Sequence, residues 1–319
     1  MRLEYQILLA LGLDLLIGDP RWFPHPVKLI GRSAAGLEPF LRRSFSKPRA
    51  AGVAMVLVIT SLTGLGTFSL IAGAQRWGAR WIHPLAGDIV SILVIYTSLA
   101  VRDLIHHSYR VYRCLKDSDL DGARQRVALM VGRDTDRLDE EGVARAAVES
   151  VAENMVDGIT APLFFTFLAG PVGAMVYKAI NTLDSTFGYK NERYREFGWA
   201  SARIDDGANY LPARLTAPLV PVAAALLKLK PLDSLRILRR DRKKHPSPNS
   251  GFAEAAFAGA LGVQLGGLNY YFGCPSAKPV LGDSSVRLSM NHILKANALA
   301  LATTALATLF LFGLRMALF

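Results

Sequence analysis

The uncharged run GVAMVLVITSLTGLGTFSLIAGA, from Gly52 to Ala74, decides the fold class of this chain. It exceeds the length of about 20 apolar residues that a helix needs to cross the hydrocarbon layer of a bilayer. Of the 319 residues, 51% are hydrophobic and 20% are charged. That composition is too apolar for a soluble domain of this size and too charged for a bare bundle of spanning helices. We therefore expect an all-α, polytopic membrane protein.

Further apolar segments bring the prediction to about five to seven hydrophobic helices in a single integral-membrane domain over residues 1–319. The N-terminal one is short for a crossing and is read as a retained helix. The segment from Phe252 to Tyr271 is rich in small residues, which favour close helix packing or a core helix facing the soluble side. The predicted segments are residues 3–17, 52–74, 85–101, 160–176, 212–229, 252–271 and 296–314, with a cytoplasmic helical insert at 102–159.

The net charge of +11 reflects basic loops, chiefly residues 18–51 and 230–244. The positive-inside bias places both loops in the cytoplasm, and basic charge also attracts anionic substrates. The basic residues form no continuous stripe, which argues against nucleic acid as a partner. Strict alternation would leave residues 179–211 outside, away from related side chains at 149–157. We therefore expect segment 160–176 or 212–229 to break or dip inside the membrane at its prolines.

Three runs combine acidic and amide side chains beside apolar segments. They are ESVAENMVDGITAP (Glu149–Pro162), KAINTLDS (Lys178–Ser185) and RIDDGANYLPAR (Arg203–Arg214). Carboxylates at a membrane surface are costly to desolvate unless a cation meets them. Oxygen ligands at a phosphate-handling site suit Mg²⁺. The runs therefore predict a metal ion and a phosphorylated substrate, whereas N-caps and interhelical hydrogen bonds explain only single members of the set.

A helix is predicted after the turn Gly132–Thr135, with Asp136 as its N-cap. An apolar stripe at four-residue spacing opposes a row of carboxylates. The stripe is Val143, Ala147, Val151 and Met155, and the row is Glu149, Glu153 and Asp157. The row reaches the last turn before Gly158, where the helix dipole disfavours negative charge. That placement favours a bound cation, with a solvated helix face as the alternative.

Two other runs have a functional and a structural interpretation. Gly188–Arg195 interleaves aromatic and basic residues, which suit either a flat ring with phosphate or an interfacial belt. SPNSG (Ser247–Gly251) precedes a helix, where it would bind phosphate or cap the helix. The single cysteines Cys114 and Cys274 indicate neither a disulfide framework nor a zinc site. The chain has no P-loop motif, so any ATP is bound without one.

Together these stretches resemble the CobD/CbiB family of cobalamin biosynthesis, the adenosylcobinamide-phosphate synthases. The matching runs occur in order over most of the chain: DLLIGDPRWFPHPV (Asp14–Val27), GRDT (Gly132–Thr135), ESVAENMVDG (Glu149–Gly158), YKAINTLDS (Tyr177–Ser185), GYKNERY (Gly188–Tyr194), DDGANYLPARL (Asp205–Leu215) and SPNSGFAEAAFAGALGV (Ser247–Val263). The resemblance implies a multi-pass protein of the cytoplasmic (inner) membrane, with its active site facing the cytoplasm.

The implied reaction is an ATP- and Mg²⁺-dependent amide ligation. It joins adenosylcobyric acid to (R)-1-amino-2-propanol phosphate, or ethanolamine phosphate, and gives adenosylcobinamide phosphate. The implied partners are the corrinoid, the amino alcohol phosphate, membrane lipid and other membrane-bound cobalamin-assembly enzymes. The alternatives are another Mg²⁺-dependent membrane phosphotransfer or prenyl-transfer enzyme, of the UbiA-like or CDP-alcohol type, and a non-catalytic transporter or sensor.

The resemblance and the polar clusters together assign the site residues. Catalysis is assigned to the carboxylates Glu149, Glu153, Asp157, Asp184, Asp205 and Asp206. Metal binding is assigned to Glu153, Asp157, Asp184 and Asp206. Substrate and phosphate contacts are assigned to Asp19, His25, Lys28, Asn154, Lys178, Asn181, Tyr189, Lys190, Asn191, Asn209, Arg214, Ser247 and Asn249.

Overall fold

The computed structural model describes residues 1–20, 25–189, 191–271 and 273–318. The helices, in chain order, are α1 (Leu3–Ile17), α2 (Pro26–Ser44), α3 (Pro48–Gly73), α4 (Ala79–Trp81), α5 (Ala86–Tyr96), α6 (Val101–Lys116), α7 (Leu120–Ala128), α8 (Glu140–Met155), α9 (Ala161–Phe187), α10 (Trp199–Ala208), α11 (Tyr210–Thr216), α12 (Leu219–Leu226), α13 (Pro231–Asp241), α14 (Ser250–Leu261) and α15 (Asn291–Leu318). Two π-helical turns, Ala74–Gly78 and Val156–Thr160, and the strands β1 (Leu265–Tyr271) and β2 (Cys274–Leu281) complete the set.

The described residues group into two compact units, each assembled from separated parts of the chain. The first unit comprises Met1–Ala100, Ala161–Asn209 and Leu314–Phe319, and the second comprises Val101–Thr160 and Tyr210–Gly313. The sequence predicted one integral-membrane domain, and that organisation stays a prediction. The predicted helical insert at 102–159 is helical, because it forms α6, α7 and α8 of the second unit.

Four helical stretches in the described part of the chain are long and apolar enough to cross a membrane. They are Pro48–Trp81, Ala86–Lys116, Glu140–Phe187 and Asn291–Ala317. They contain the predicted segments 52–74, 160–176 and 296–314, and all of segment 85–101 except Leu85. On α3, Leu57, Leu65 and Phe68 are exposed, as lipid-facing side chains are. The protein is therefore a helical membrane protein, as predicted.

The core of the first unit lies where α2, α3 and α9 meet. Ile30, Met55 and Leu183 are buried in it, together with Phe187 and Phe197. The backbone of the chain after α9 comes so close to α3 that a Cβ on Gly52 would stand 1.9 Å from the carbonyl oxygen of Phe197. No real side chain tolerates that distance, so α3 packs there only because residue 52 is glycine.

The sequence predicts a break in segment 160–176 or in segment 212–229, and segment 160–176 contains one. Helix α9 loses helical geometry at Ala169 and Gly170, where Gly170 has φ +62°. Pro171 follows and has no N–H, so it leaves the carbonyl of Phe167 without its usual helical donor. Arg315, from the last turn of α15, donates from Nη1 to that carbonyl at 2.9 Å and pairs through Nε with Glu4 at 2.6 Å. The freed carbonyl is thus satisfied by a paired arginine.

Segment 212–229 also contains a break at one of its prolines, so only the prediction of a single hydrophobic helix over these residues was wrong. It divides into two helices: α11 ends at Thr216, and α12 begins at Leu219, directly after Pro218. Proline lacks the N–H donor that a continuous helix needs, which explains the break. Each of the two helices is too short to cross a bilayer by itself.

Segment 252–271 was also wrong in its second half. Helix α14 ends at Leu261 because Gly262 adopts the left-handed conformation, with φ +70°. The chain then forms β1, which pairs antiparallel with β2. The predicted close packing is confirmed at Gly259, where a Cβ would lie 2.5 Å from the carbonyl oxygen of Asp233 on α13.

Candidate functional site

Helix α8 begins and continues differently from the prediction. Asp139, not Asp136, is the N-cap, and its Oδ1 accepts the N–H of Gly142 at 2.8 Å. At its other end α8 passes through the π-helical turn Val156–Thr160 into α9. The argument that Glu153 and Asp157 stand at a helix C-terminus was therefore wrong. Their position gives no dipole-based reason for a cation.

Glu149 is the anchor of a buried network in the second unit. Its Oε2 receives Arg133 Nη2 at 2.6 Å, and its Oε1 receives the N–H of Gly266 at 2.6 Å. Arg133 also donates to the side chain of Asn269 on β1. The side chains of Arg133 and Glu149 are 4% and 10% exposed. Both carboxylate oxygens of Glu149 thus accept hydrogen bonds that link α8 to the loop before it and to the β1–β2 hairpin. The catalytic role of Glu149 stays a prediction.

A second polar group surrounds the start of α14. Glu153 Oε1 accepts the hydroxyl of Ser250 at 3.1 Å. Glu254, one turn further along α14, has its Oε1 3.5 Å from Nε2 of His245. Burial and the neighbouring charges of Glu153 and Glu149 raise the pKa of Glu254 well above its usual range. Burial lowers the pKa of His245. The pair therefore consists of two groups that burial drives towards their neutral forms.

Lys278 on β2 adds a positive charge near the carboxylates of this group. Burial alone would lower its pKa, but the charges of Glu254 and other acidic neighbours outweigh burial, so its pKa is raised. Sequence reasoning missed Arg133, His245, Glu254 and Lys278. One signal was available, because Glu254 is the single charged side chain of the otherwise apolar and polar-neutral helix α14. A lone acid in such a helix needs a buried partner.

The turn Ser247–Asn249 has the capping role considered for it, and its role in binding phosphate stays a prediction. Ser247 Oγ accepts the N–H groups of Asn249 and Ser250, each at 3.3 Å, as plain capping predicts. Asn249 is the N-cap of α14 but makes no side-chain cap hydrogen bond. Its Oδ1 instead accepts from Arg214 Nη1 at 3.2 Å. The structure thus brings together three predicted phosphate contacts, Arg214, Ser247 and Asn249.

Arg214 is held in place by aromatic rings. Its guanidinium carbon lies 3.3 Å from the ring centre of Tyr210 and 4.5 Å from that of Phe252. Stacking of this kind orients the planar donor fork of arginine and limits its rotamers. Asn154, another predicted contact, donates to the backbone carbonyl and hydroxyl of Ser150 in its own helix.

A cluster in the first unit joins α9 to α10. Asp205 accepts from the amides of Asn181 at 3.4 Å and Asn209 at 3.0 Å. Tyr177, which the sequence did not single out, donates to Asn209 Oδ1 at 2.8 Å. Burial, followed by the charge of Asp184, raises the pKa of Asp205 to about 7. The amide and acidic runs at 178–185 and 203–209 therefore meet within this unit, although they are far apart in sequence.

The remaining predicted contacts are dispersed in the first unit. His25 is the N-cap of α2, and its Nε2 lies 3.3 Å from Asp19 Oδ2. Asn191 Oδ1 accepts the N–H of Tyr194 at 3.0 Å, which is a turn-forming role. Lys28 and Tyr189 are exposed, Lys178 is half-buried, and Lys190 lies outside the described residues.

The four predicted metal carboxylates are divided between the units. Glu153 and Asp157 belong to the second unit, and Asp184 and Asp206 belong to the first. Within the residues that the structure describes, no group of three or more His, Cys, Asp or Glu side chains could hold a metal ion. The assignment of these four to one metal site, and of residues 149–157 and 181–209 to a common site, stays a prediction.

A cavity of about 700 Å³ opens in the second unit at the start of α8. Carboxylates, two arginines and the side chains of Leu268 and Tyr270 line it. Arg137 lies over the ring of Tyr270, 5.6 Å from its centre. The volume is that of a ligand site, which spans roughly 300–1,000 Å³.

The sequence profile described as CobD/Cbib protein matches residues 7–300 of this chain. The chain belongs to the CobD/Cbib family. This confirms the resemblance drawn from the ordered runs, and it replaces the phosphotransfer, prenyl-transfer and transporter alternatives. The polar contacts described above join those same runs. Arg133 of GRDT meets Glu149 of ESVAENMVDG, and Glu153 of ESVAENMVDG meets Ser250 of SPNSG.

Curated relatives of this CobD/Cbib protein match it over most of its length. Cobalamin biosynthesis protein CobD of Geobacter metallireducens is 53% identical over 277 residues, covering 87% of this chain and 86% of the relative. CobD of Leptospira interrogans is 45% identical over 308 residues, covering 97% and 96%. Cobalamin biosynthesis protein CbiB of Salmonella typhimurium is 45% identical over 311 residues, covering 96% of each. No solved structure matches the chain.

Proposed function

We propose that this protein joins adenosylcobyric acid to (R)-1-amino-2-propanol phosphate, or ethanolamine phosphate, by an ATP- and Mg²⁺-dependent amide ligation that gives adenosylcobinamide phosphate. The observation that carries the proposal is membership of the CobD/Cbib family over residues 7–300, with relatives named as cobalamin biosynthesis proteins over nearly the whole chain. On the same ground the protein is a cobalamin biosynthetic enzyme of a membrane. The ligation chemistry is the finer part of the proposal.

The proposed reaction sets clear demands on the protein. A carboxylate is a poor acyl donor, and transfer of the γ-phosphoryl group of ATP to it supplies a better leaving group. The amine must then lose a proton, attack the acyl carbon and displace phosphate. Water has to be excluded, because it competes with the amine for the activated acyl group. Cations for phosphates, carboxylates for protons and a polar site within apolar surroundings are therefore required.

Phosphate binding is best supported at the start of α14. Arg214 is oriented by Tyr210 and Phe252 and is tied to Asn249 at 3.2 Å. Helix N-termini favour anions through their N–H groups and dipole, and arginine adds a planar pair of donors. We assign a substrate phosphate group to Arg214, Asn249 and the first turn of α14.

Magnesium is best supported at the carboxylates of the first unit. Burial and the charge of Asp184 raise the pKa of Asp205 to about 7, so its ionised form is under-compensated when no cation is present. Mg²⁺ commonly binds through one or two carboxylates together with substrate phosphates, so a preformed three-carboxylate cage is unnecessary. We assign Asp184 and Asp206 to the metal, which would neutralise phosphate charge when bound. Asp205 and Asn181 then orient these ligands.

Localisation in the cytoplasmic membrane, with the active site facing the cytoplasm, is the final part of this proposal. The four candidate spans support the membrane, and the basic loops at 18–51 and 230–244 support the orientation. Lipid and other membrane-bound cobalamin-assembly enzymes are the proposed neighbours.

Purified protein in lipid nanodiscs tests the reaction directly. With ATP, Mg²⁺, adenosylcobyric acid and the amino alcohol phosphate, we expect equal amounts of ADP and a new corrinoid amide by mass spectrometry. Glu153→Gln should lower kcat about 100-fold or more if this carboxylate takes part in proton transfer. Asp121→Asn is the matched control, since Asp121 is 85% exposed on the surface of the second unit. Absence of the amide with folded protein and all four substrates and cofactors present would overturn the proposal.

A further inference from the structure

His245 is a buried imidazole that the proposed chemistry does not use. It lies between α13 and α14, and its side chain is 7% exposed. Its Nδ1 accepts the backbone N–H of Ser247 at 3.0 Å. In a neutral imidazole whose Nδ1 accepts, the proton resides on Nε2. The ring therefore has one fixed tautomer, and its accepting nitrogen holds the backbone of the Ser247–Ser250 turn.

The other side of the ring faces Glu254. Nε2 of His245 lies 3.5 Å from Glu254 Oε1, and the Glu254 side chain is 4% exposed. Nε2 is buried, and no hydrogen-bond partner lies within the usual distance among the residues that the structure describes. The ring can pack against α14 because residue 251 is glycine: a Cβ on Gly251 would lie 2.6 Å from Cβ of His245. The imidazole is thus packed between the turn and the first two turns of α14.

His245 anchors the Ser247–Ser250 turn, and this turn places the side chains of Asn249 and Ser250 against Arg214 and Glu153. The hydroxyl of Ser247 accepts the N–H groups of Asn249 and Ser250. Asn249 then faces Arg214, and the hydroxyl of Ser250 donates to Glu153 at 3.1 Å. The direction of these side chains is set by the backbone of Ser247, which is anchored by its N–H to the imidazole.

We propose that His245 is a positioning residue that keeps the Ser247–Ser250 turn in the shape that binds the phosphate of the amino alcohol phosphate. The inference rests on the proposed function of this turn. Because the imidazole acts on the turn and touches no reacting atom, its loss weakens binding of the phosphorylated amine. Turnover at saturating substrate is retained, since Arg214 and Glu153 are still present.

Three substitutions separate positioning from simple packing. His245→Leu removes the acceptor for the Ser247 N–H, and we expect KM for the amino alcohol phosphate to rise about tenfold, the effect of losing one buried hydrogen bond. His245→Asn places an amide oxygen near the Nδ1 position and should restore KM to within about threefold of wild type. His245→Gln carries its amide further out and should behave like leucine, which provides a second variant if leucine impairs folding.

The readouts are KM and kcat for the amino alcohol phosphate, with KM for ATP as the internal reference. A rise in KM with leucine and glutamine, and recovery with asparagine, supports the inference. Equal KM values for all three variants, or a fall in kcat at unchanged KM, overturn it. Asn249→Ala distinguishes the two proposals. If Asn249→Ala raises KM and His245→Leu does not, the positioning role is wrong, and if Asn249→Ala leaves KM unchanged, the assignment of phosphate to this turn is wrong.

Discussion

The buried pair of Arg133 and Glu149 makes the sharpest stability prediction. In Arg133→Met, the Glu149 carboxylate loses its 2.6 Å partner, and the next arginine, Arg145, is 4.0 Å away. Breaking one side of a buried ion pair costs about 3–5 kcal/mol, because the remaining charge stays desolvated. Glu149→Gln leaves the Arg133 guanidinium without its counter-ion and should cost the same amount. If the two effects were independent, they would together lower the free energy of unfolding by about 6–10 kcal/mol.

The double variant Arg133→Met with Glu149→Gln should lose far less stability than the sum of the two single variants. The buried pair is removed as a whole, and glutamine still offers an oxygen to the N–H of Gly266. Asn269 loses its donor, which costs about 1–3 kcal/mol of stability. Arg145, which is 24% exposed, loses its 4.0 Å ion pair in the Glu149→Gln variant and in the double variant alike. We therefore expect a coupling free energy of at least about 3 kcal/mol between the two positions, where unrelated sites add to within about 0.5 kcal/mol.

Cysteine labelling provides the assay. Cys114 is half-buried on α6 in the second unit, and Cys274 is exposed. In a Cys274→Ser background, labelling of Cys114 across a denaturant series in detergent reports opening of the second unit. The reasoning is refuted if the single losses add in the double variant, or if both single variants open at the wild-type denaturant concentration. A double variant that folds but has no turnover would favour the catalytic role predicted for Glu149.

Three further predictions follow from the fold. Arg315→Met removes the donor that satisfies the Phe167 carbonyl beside Pro171 and should destabilise the protein by about 2 kcal/mol, with Arg315→Lys recovering part of the loss in thermal melts. Unchanged melting in Arg315→Met would contradict this. Asp205 has a folded pKa of about 7 against an ordinary 3.8, so its contribution to stability is full below pH 3.8 and is lost as the pH rises through about 7. Asp205→Asn should remove that dependence in denaturant titrations followed by tryptophan fluorescence, and an unaltered pH profile would count against the burial argument. Gly259→Ala should destabilise the second unit by about 1–3 kcal/mol through contact with Asp233, whereas Gly313→Ala, whose added methyl meets nothing within 4 Å, should be neutral or stabilising in the Cys114 assay.

The membrane helices were readable from the sequence because lipid imposes a simple requirement. An uncharged run such as Gly52–Ala74 has few alternatives to a spanning helix. The break in α9 was also readable, since Pro171 removes a backbone donor wherever it stands. The run from Phe252 to Tyr271 was not, because an apolar stretch of that length fits a helix, or a helix followed by a strand. Gly262 ends α14, and the strand pairing that follows depends on residues beyond the run.

The candidate site was readable only in part. The acidic and amide runs include Asp205 and Asn181, and the structure joins these two side chains across 24 positions of sequence. Tyr177, which donates to Asn209 in the same cluster, carried no separate signal. Arg133 and His245 were missed because a single basic residue in a loop looks solvated until its burial is known. The helix-terminus argument for Glu153 failed because a π-helical turn continues the helix, and no sequence pattern marked that turn.

The most direct test of the central claim is an isotope measurement on the proposed ligation. Adenosylcobyric acid carrying ¹⁸O in both oxygens of its free carboxylate is incubated with the protein, ATP, Mg²⁺ and the amino alcohol phosphate. If the carboxylate is activated by phosphoryl transfer, one labelled oxygen leaves with phosphate when the amide forms, and the other stays in the amide. Label in inorganic phosphate, in proportion to the amide and to ADP, is the predicted result. Unlabelled phosphate, label in AMP, or no corrinoid amide would contradict it.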